Sequence, residues 1–346
     1  MYMAQLVECV PNFSEGKDQQ IIKQITQPIL DQSGVHLLDV DMGADFNRTV
    51  VTVVGDPEKV LRAVIECTII ATSLIDMSKH KGEHARMGAV DVVPFIPISG
   101  ITMEQCVHLS KRYAEAVSNE LGIPIYLYAE AATNPNRVSL PNIRRGEYEG
   151  FEEKISEPDW TPDFGPSSFN ARTGVTATGA RQILIAFNVN LDTDDKAKAN
   201  TIASIIRTSG SLVKDEKGQK IIGHDGKPLR KPGLFNSLQA AGWMYDESTA
   251  QVSMNLLDFS VTGLHDVTEA IRNEASVVGL NVTAGELVGL VPIEAMLSAG
   301  RFYIEDDAII DEKALVQKAI SGLMLDQLDD FEPESSIIEW AIQGVI

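Results

Sequence analysis

The sequence predicts an α/β (α+β) chain built from two similar subdomains, and three observations carry that prediction. At 346 residues the chain exceeds the roughly 250–300 residues at which one hydrophobic core stops growing. Strand-like and helix-like periodicities alternate in both halves. Between them runs a stretch from Thr133 to Gly179 punctuated by Asn, Pro, Gly and Arg, with no long periodic segment. The boundary is placed after residue 180, giving subdomains 1–180 and 181–346.

The elements follow in order. Gln5 to Pro11 is rich in β-formers, the polar NFSEG makes a turn, and Lys17 to Leu30 is amphipathic. VHLLDVD (Val35 to Asp41) and RTVVTVVGD (Arg48 to Asp56) read as adjacent antiparallel strands, joined by a loop holding the turn formers Gly43, Asp45 and Asn47. Asp56 and Pro57 suit the N-cap and first position of a helix running to Met77. A strand Val90 to Ile98 follows, then a helix Met103 to Leu121 that Gly122 ends, then the strand-like IPIYLYAEAA. Past the irregular stretch come strand ILIAFNVNL, helix Lys196 to Thr208, a strand around Gly242 to Asp246, strand VSMNLLDFSV, helix His265 to Val278 and the apolar ELVGLVPI. Each half reads as a βαββαβ-type unit, the ferredoxin-like order, without residue-level repetition.

Composition narrows the function classes. Hydrophobic residues at 44 % and charged residues at 23 % are those of a globular chain rather than a disordered one. A formal net charge of −20 opposes both phosphate backbones and anionic lipid, so neither nucleic acid nor membrane is an expected partner. MYMAQLVECVPNFSEG has no basic n-region, no apolar run in the sequence is long enough to span a bilayer, and the expected location is the cytoplasm. Cys9, Cys67 and Cys106 are too scattered for a disulfide framework or a metal knuckle and read as reduced thiols. The segment from Ser211 to Phe235 is the one basic island, and composition makes it a solvated hairpin or a mobile loop, or else a lid for carboxylates.

Two clusters could carry chemistry. In KHKGEHARMGAVDVVPFIP, His80, Glu83, His84, Arg86 and Asp91 stand within twelve residues beside Gly82 and Gly88. Histidine exchanges protons near neutral pH, and a carboxylate such as Asp41 could orient it. The same segment fits the H-x-x-E-H spacing of inverted zinc peptidases, although Gly82 would weaken the helix that must hold both ligands. In PDFGPSSFNARTGVTATGARQ, Ser167, Ser168, Asn170, Arg172 and Thr173 lie among glycines, a composition open to a flat polar ligand or to a plain linker. Neither a dinucleotide fingerprint nor a P-loop occurs.

Taken together, LVECVPNFSEG, LLDVD, NRTVVTVVGDP, LIDMSKHKGEHARMGAVDVVPFIP, PIYLYAEAA, RRGEYE, PDFGPSSF, ARQILIAFNVNL, QVSMNLLDF and ELVGLVP resemble the glutamate formimidoyltransferase family over nearly the whole chain. The resemblance implies two ferredoxin-like subdomains with a folate cleft or tunnel between them, and a homodimer. It implies transfer of the formimino group from N-formimino-L-glutamate to N5 of tetrahydrofolate in histidine degradation, with no metal required. The folate co-substrate would come with or without a polyglutamate tail, and a separate cyclodeaminase would act on the product. By the family's motifs His84 is the catalytic histidine, His80 a noncatalytic neighbour, and Asp41 the aspartate beside the reaction. The folate-contacting stretch maps to Gly165, Pro166, Ser167, Ser168 and Phe169, continuing through Asn170, Arg172, Thr173 and Gly174, where NART departs from the family's wording. The donor's carboxylates need cations, and Arg48, Arg144 or Lys227 could supply them. A glutamate formyltransferase and a noncatalytic folate or amino-acid sensor are the competing readings.

Overall fold

The computed structural model describes residues 5–224, 226–304, 311–328 and 331–343. The chain divides into two compact units between Gln182 and Ile183.

The first unit contains β1 (Leu6–Cys9), β2 (Asn12–Phe13), α1 (Gln19–Asp31), β3 (Val35–Gly43), β4 (Arg48–Gly55), α2 (Pro57–Leu74), β5 (Val90–Ser99), α3 (Met103–Leu121), β6 (Ile125–Ala129), α4 (Leu140–Arg144), α5 (Glu147–Lys154) and β7 (Thr176–Ala180). Its sheet runs β3, β4, then β1 with β2, then β5, β7 and β6. β1 and β2 are two pieces of one interrupted strand, and both pair antiparallel with β4 on one side and β5 on the other. β7 lies parallel to β5 and β6.

Local chemistry explains the helix ends. The Asp18 carboxylate accepts from the Gln20 amide at 2.8 Å and caps α1. Thr102 and Gln105 form a reciprocal capping box at the start of α3, and Gly122, at φ 62°, closes it in the left-handed region. The α2 helix stops at Leu74, three residues short of the expected Met77.

Strand alternation divides the sheet into two chemical faces. On one, Val7, Cys9, Val51, Val53 and Phe95 pack with Ile25, Val64, Cys67 and Tyr113 from the helices. Each such valine, isoleucine or phenylalanine contributes about 1.5–3 kcal/mol on burial. The other face is polar along β3 and β4. Asp41 pairs with Val50 and Gly43 with Arg48, so the side chains of Asp41 and Arg48 stand on the same side. Toward β6 this face is apolar again, where Val92, Tyr126 and Tyr128 meet Ile143, Phe151 and Ile155.

The second unit contains β8 (Ile185–Leu191), α6 (Lys196–Ile206), β9 (Ser211–Leu212), β10 (Arg230–Lys231), β11 (Leu238–Met244), β12 (Ala250–Leu256), α7 (Leu264–Val277), β13 (Val282–Val288), α8 (Ile293–Phe302), α9 (Glu312–Leu323), α10 (Pro333–Ser336) and α11 (Ile338–Gln343). Its main sheet, in the order β11, β12, β8, β13, is antiparallel throughout. The first unit repeats this plan with β3, β4, β1 and β5, each time through a split β-α-β connection. The basic island is a hairpin: β9 pairs with β10, and Lys214 bridges Lys220 across a turn at Gly218.

The long irregular stretch conceals one strand. TATGA, Thr176 to Ala180, is β7, buried at all five positions between β5 and β6. Small residues packed on both faces leave no hydrophobic alternation to read. Just before it, Gly174 sits at φ 66° and bridges Gly88, and a Cβ there would run into the Met87 carbonyl oxygen. Gly174→Ala is expected to lower the unfolding free energy by about 1–3 kcal/mol, read by denaturant titration, because it adds backbone strain to a contact that cannot relax.

Candidate active site

Three loops converge at the polar end of the first sheet. The NFSEG turn donates its Ser14 amide to the Ala89 carbonyl at 2.9 Å and its Ser14 hydroxyl to the Gly88 carbonyl at 2.8 Å. The β3–β4 turn ends on Asn47, at φ 48° and buried. Its side-chain oxygen accepts from the Gly16 amide at 3.0 Å and its amide nitrogen donates to the Lys81 carbonyl at 2.9 Å. Gly16 is held so closely that a Cβ would collide with the Gly43 carbonyl and the Arg48 amide. The third loop, 75–89, carries His80 and His84 and contains no helix.

The two histidines are opposite tautomers. His80 Nε2 donates to the Asn47 carbonyl at 2.9 Å, and its Nδ1 accepts from Arg86 Nε at 3.3 Å. Both ring nitrogens are therefore committed to holding the loop. At His84, Nε2 lies 2.8 Å from Arg48 Nη1. Guanidinium only donates, so Nε2 accepts and the proton sits on Nδ1. That Nδ1 is buried without a hydrogen-bond partner among the described residues. Burial, then the charges of Arg48 and Arg144, hold the His84 pKa below the usual 6.5, with Asp91 and the Ala85 backbone opposing. Phe46 stands edge-on to the imidazole at 6.2 Å and is 46 % exposed.

Charged neighbours fall into different roles. Arg86 is buried and clamped by Glu147 at 3.0 Å and Glu149 at 2.6 Å, so the arginine of KHKGEHAR fastens the loop to α5. Arg144 donates through Nε and Nη2 to Asp91 Oδ2, whose other oxygen accepts from the Met87 amide at 2.9 Å. Lys154 is buried and donates to the carbonyls of Asn142 at 3.0 Å, Ile143 at 2.6 Å and Arg145 at 2.9 Å, capping the helix that carries Arg144. Burial lowers its pKa to about 8. Arg48, half-buried, donates through Nη1 to Asn12 Oδ1 at 3.2 Å as well as to His84. Asp41 is exposed and makes no hydrogen bond to His84; it acts on the site through its field at Arg48.

The GPSSF stretch joins the same place. Gly165, Pro166, Ser167 and Ser168 are exposed, Phe169 packs against Tyr148 at 5.2 Å between ring centroids, and Asn170 folds back to accept from the Arg172 amide at 3.0 Å. Arg172 spends its guanidinium on the Ser73 carbonyl at 2.8 Å. Backbone bonds from Met77 to Arg172, Ala89 to Thr173 and Val175 to Met87 sew this stretch to the histidine loop. Two clusters some ninety residues apart in sequence are thus neighbours in the first unit. The H-x-x-E-H spacing does not make a zinc site: without a helix the two histidines share no face, and His80 has no free nitrogen. Among the described residues no three His, Cys, Asp or Glu side chains are grouped to hold a metal ion.

Comparison with known proteins bears on the whole chain. Residues 6–181 match the profile of the formiminotransferase domain, N-terminal subdomain, and residues 186–343 match that of the formiminotransferase domain. The chain belongs to the formiminotransferase family. Formimidoyltransferase-cyclodeaminase of Mus musculus is 47 % identical over 343 residues, which is 98 % of this chain and 60 % of the relative. The chain thus spans about three-fifths of the length of the relatives bearing that name. Glutamate formimidoyltransferase of Streptococcus pyogenes serotype M1 is 41 % identical, over 92 % of this chain and 100 % of the relative. That of Thermoplasma acidophilum is 39 % identical over 90 % and 97 %.

Within this formiminotransferase-family chain, Asn12, Asn47 and Lys154 hold parts of the candidate site and were left out by sequence reasoning. Asn47 offered a signal as a turn former next to Arg48, whereas Lys154 offered none, since its carbonyl partners meet it only in the folded chain.

Burial, the largest cause for each, holds the pKa of both histidines below the usual 6.5 in the folded chain. An unfolded chain binds protons near that value which the folded chain refuses, so this contribution to stability is whole above about 6.5 and is lost as pH falls through the folded values. Denaturant titrations at about pH 7.5 and 5.5 should therefore give a lower unfolding free energy at the acidic pH. The double variant His80→Gln/His84→Gln should show a smaller difference; an unchanged difference would assign the acid sensitivity elsewhere.

Proposed function

We propose that the chain transfers the formimino group of N-formimino-L-glutamate to N5 of tetrahydrofolate and releases L-glutamate. One observation carries the chemistry: the half-buried His84 imidazole accepts from the Arg48 guanidinium through Nε2 at 2.8 Å, and burial with the charges of Arg48 and Arg144 holds its pKa below the usual 6.5. A neutral imidazole is the form that accepts a proton, and the surrounding positive charge suits a dicarboxylate donor.

In this reading N5 attacks the formimino carbon and a new C–N bond forms. His84 Nε2 receives the N5 proton as the tetrahedral intermediate appears. The same proton passes to the glutamate nitrogen, its C–N bond breaks, and the amine leaves. Atoms and charge balance without an external acid, because one group serves both transfers. Arg48 and Arg144 would face the donor's carboxylates, and the loop from Gly165 to Gly174, exposed from Gly165 to Ser168, would meet the folate. Asp41 enters as an electrostatic partner of Arg48 rather than as an orienter of the imidazole. The names of the relatives, formimidoyltransferase-cyclodeaminase and glutamate formimidoyltransferase, support the activity. A homodimer and a separate cyclodeaminase acting on the product follow from the family resemblance, and a cytoplasmic location from the sequence of the N-terminus.

The test incubates the chain with tetrahydrofolate and either N-formimino- or N-formyl-L-glutamate and follows glutamate release. Formimino-dependent turnover is expected, with His84→Ala lowering kcat by about 10²-fold or more. Turnover with the formyl donor alone would move the chain to the sister activity, and silence with both would favour a folate sensor. His84 must be neutral in the free protein, so kcat/KM should fall on the acid side at a pH below the 6.5 of an ordinary histidine.

A further inference from the structure

The arginines around His84 differ in what they leave unpaired. Arg86 is saturated by two glutamates, and Arg144 spends its Nε/Nη2 edge on Asp91. Arg48 bonds only neutral acceptors, the Asn12 amide oxygen and the His84 imidazole, both through Nη1. Among the described residues its Nε and Nη2 donate no hydrogen bond, and no carboxylate lies within ion-pair distance. That edge is the one that takes a carboxylate with two parallel bonds. A half-buried guanidinium without a counter-charge is costly to keep, and its pKa is lowered accordingly, by burial first and Arg144 second.

Arg48 also occupies the atom the reaction needs. Nε2 is the one imidazole nitrogen with a lone pair in this tautomer, and it cannot receive a proton while it accepts from Arg48.

We propose that Arg48 is a substrate-displaced mask: in the free protein it covers the basic nitrogen of His84, and the carboxylate of the bound donor draws the guanidinium away and uncovers it. The inference rests on the formimino-transfer reading for the identity of the donor. A carboxylate on the open edge brings a full opposite charge and two parallel bonds, and the guanidinium turns toward it at the expense of the single bond from Nη1 to the uncharged imidazole. The base is then exposed only when the donor is seated. Neutralising Arg48 also removes a positive charge beside the ring. Carboxylate binding and protonation of His84 therefore favour each other, and linkage makes the coupling reciprocal. Arg144, Asp91, the Ala85 backbone and, through Arg48, Asp41 make up the rest of the field and do not change partners in this step.

The experiment is a pH titration of the His84 ring by NMR on the full chain, assigned with His84→Gln, without ligand and with L-glutamate as the probe. Glutamate is expected to raise the His84 pKa by about one unit, a tenfold change in proton affinity. Arg48→Gln should raise it to a similar value with no glutamate present and abolish the response to glutamate. Arg48→Lys, which keeps the charge, should leave the ligand-free value low. If glutamate competes with the donor in the turnover assay yet leaves the His84 titration unmoved, the mask is wrong while the transfer stands. An Arg48→Gln protein whose His84 titrates as in the wild type overturns the mask whether or not the chain turns over. Absence of turnover with a normal Arg48→Gln shift would instead sink the transfer and keep the masking contact.

Discussion

The arrangement around His84 depends on how Asn47 is held. Asn47 sits in the left-handed region at the end of a hairpin turn, a conformation that asparagine tolerates better than most residues. From there its side chain bonds the NFSEG turn on one side and the Lys81 carbonyl on the other, while its own carbonyl receives His80. One residue later β4 begins with Arg48. The same asparagine therefore sets the start of the strand that presents Arg48 and the course of the loop that presents His84, and a shift at Asn47 would move both partners of the 2.8 Å contact.

Charge is distributed around the site in a graded way. Asp91, 1 % exposed, is matched by Arg144 and the Met87 amide, partners that offset the cost of burying a carboxylate. Arg86 is matched twice over. Arg48 is left with neutral partners, and His84 remains uncharged between two cations. Positive field without a local counter-charge is what an anionic ligand would meet, in a chain whose overall charge is −20. The global repulsion is thus overcome locally, over a few ångströms, where screening is weakest.

Both units share one plan, a βαββαβ run with the strands in the same order. The first unit adds α3, β6 and β7, and the irregular segment before β7 supplies α4, α5 and the GPSSF loop. Those additions carry Arg144, the glutamates that hold Arg86, and the backbone partners of the histidine loop. The repeated plan builds the scaffold, and the insertion in one copy furnishes much of the candidate site.

Much of this was readable in the sequence, and the limits have physical causes. Strands such as Arg48–Gly55 and helices such as Met103–Leu121 announce themselves because their periodicity, caps and closing glycine are local properties of consecutive residues. The histidine cluster and the GPSSF loop stood out for the same reason. Thr176–Ala180 did not, because a strand of small residues buried on both faces has no alternating pattern, and Lys154 did not, because a lone lysine reads as a surface charge until three carbonyls close around it. By itself the sequence determined which elements form and which residue types are available for proton transfer and anion binding, since both depend on neighbours along the chain. Tertiary structure alone decided which of two histidines keeps a basic nitrogen and which of three arginines keeps an open edge. Those outcomes depend on distances between residues far apart in sequence, as with Arg48 and His84, Arg86 and Glu149, and Asp91 and Arg144.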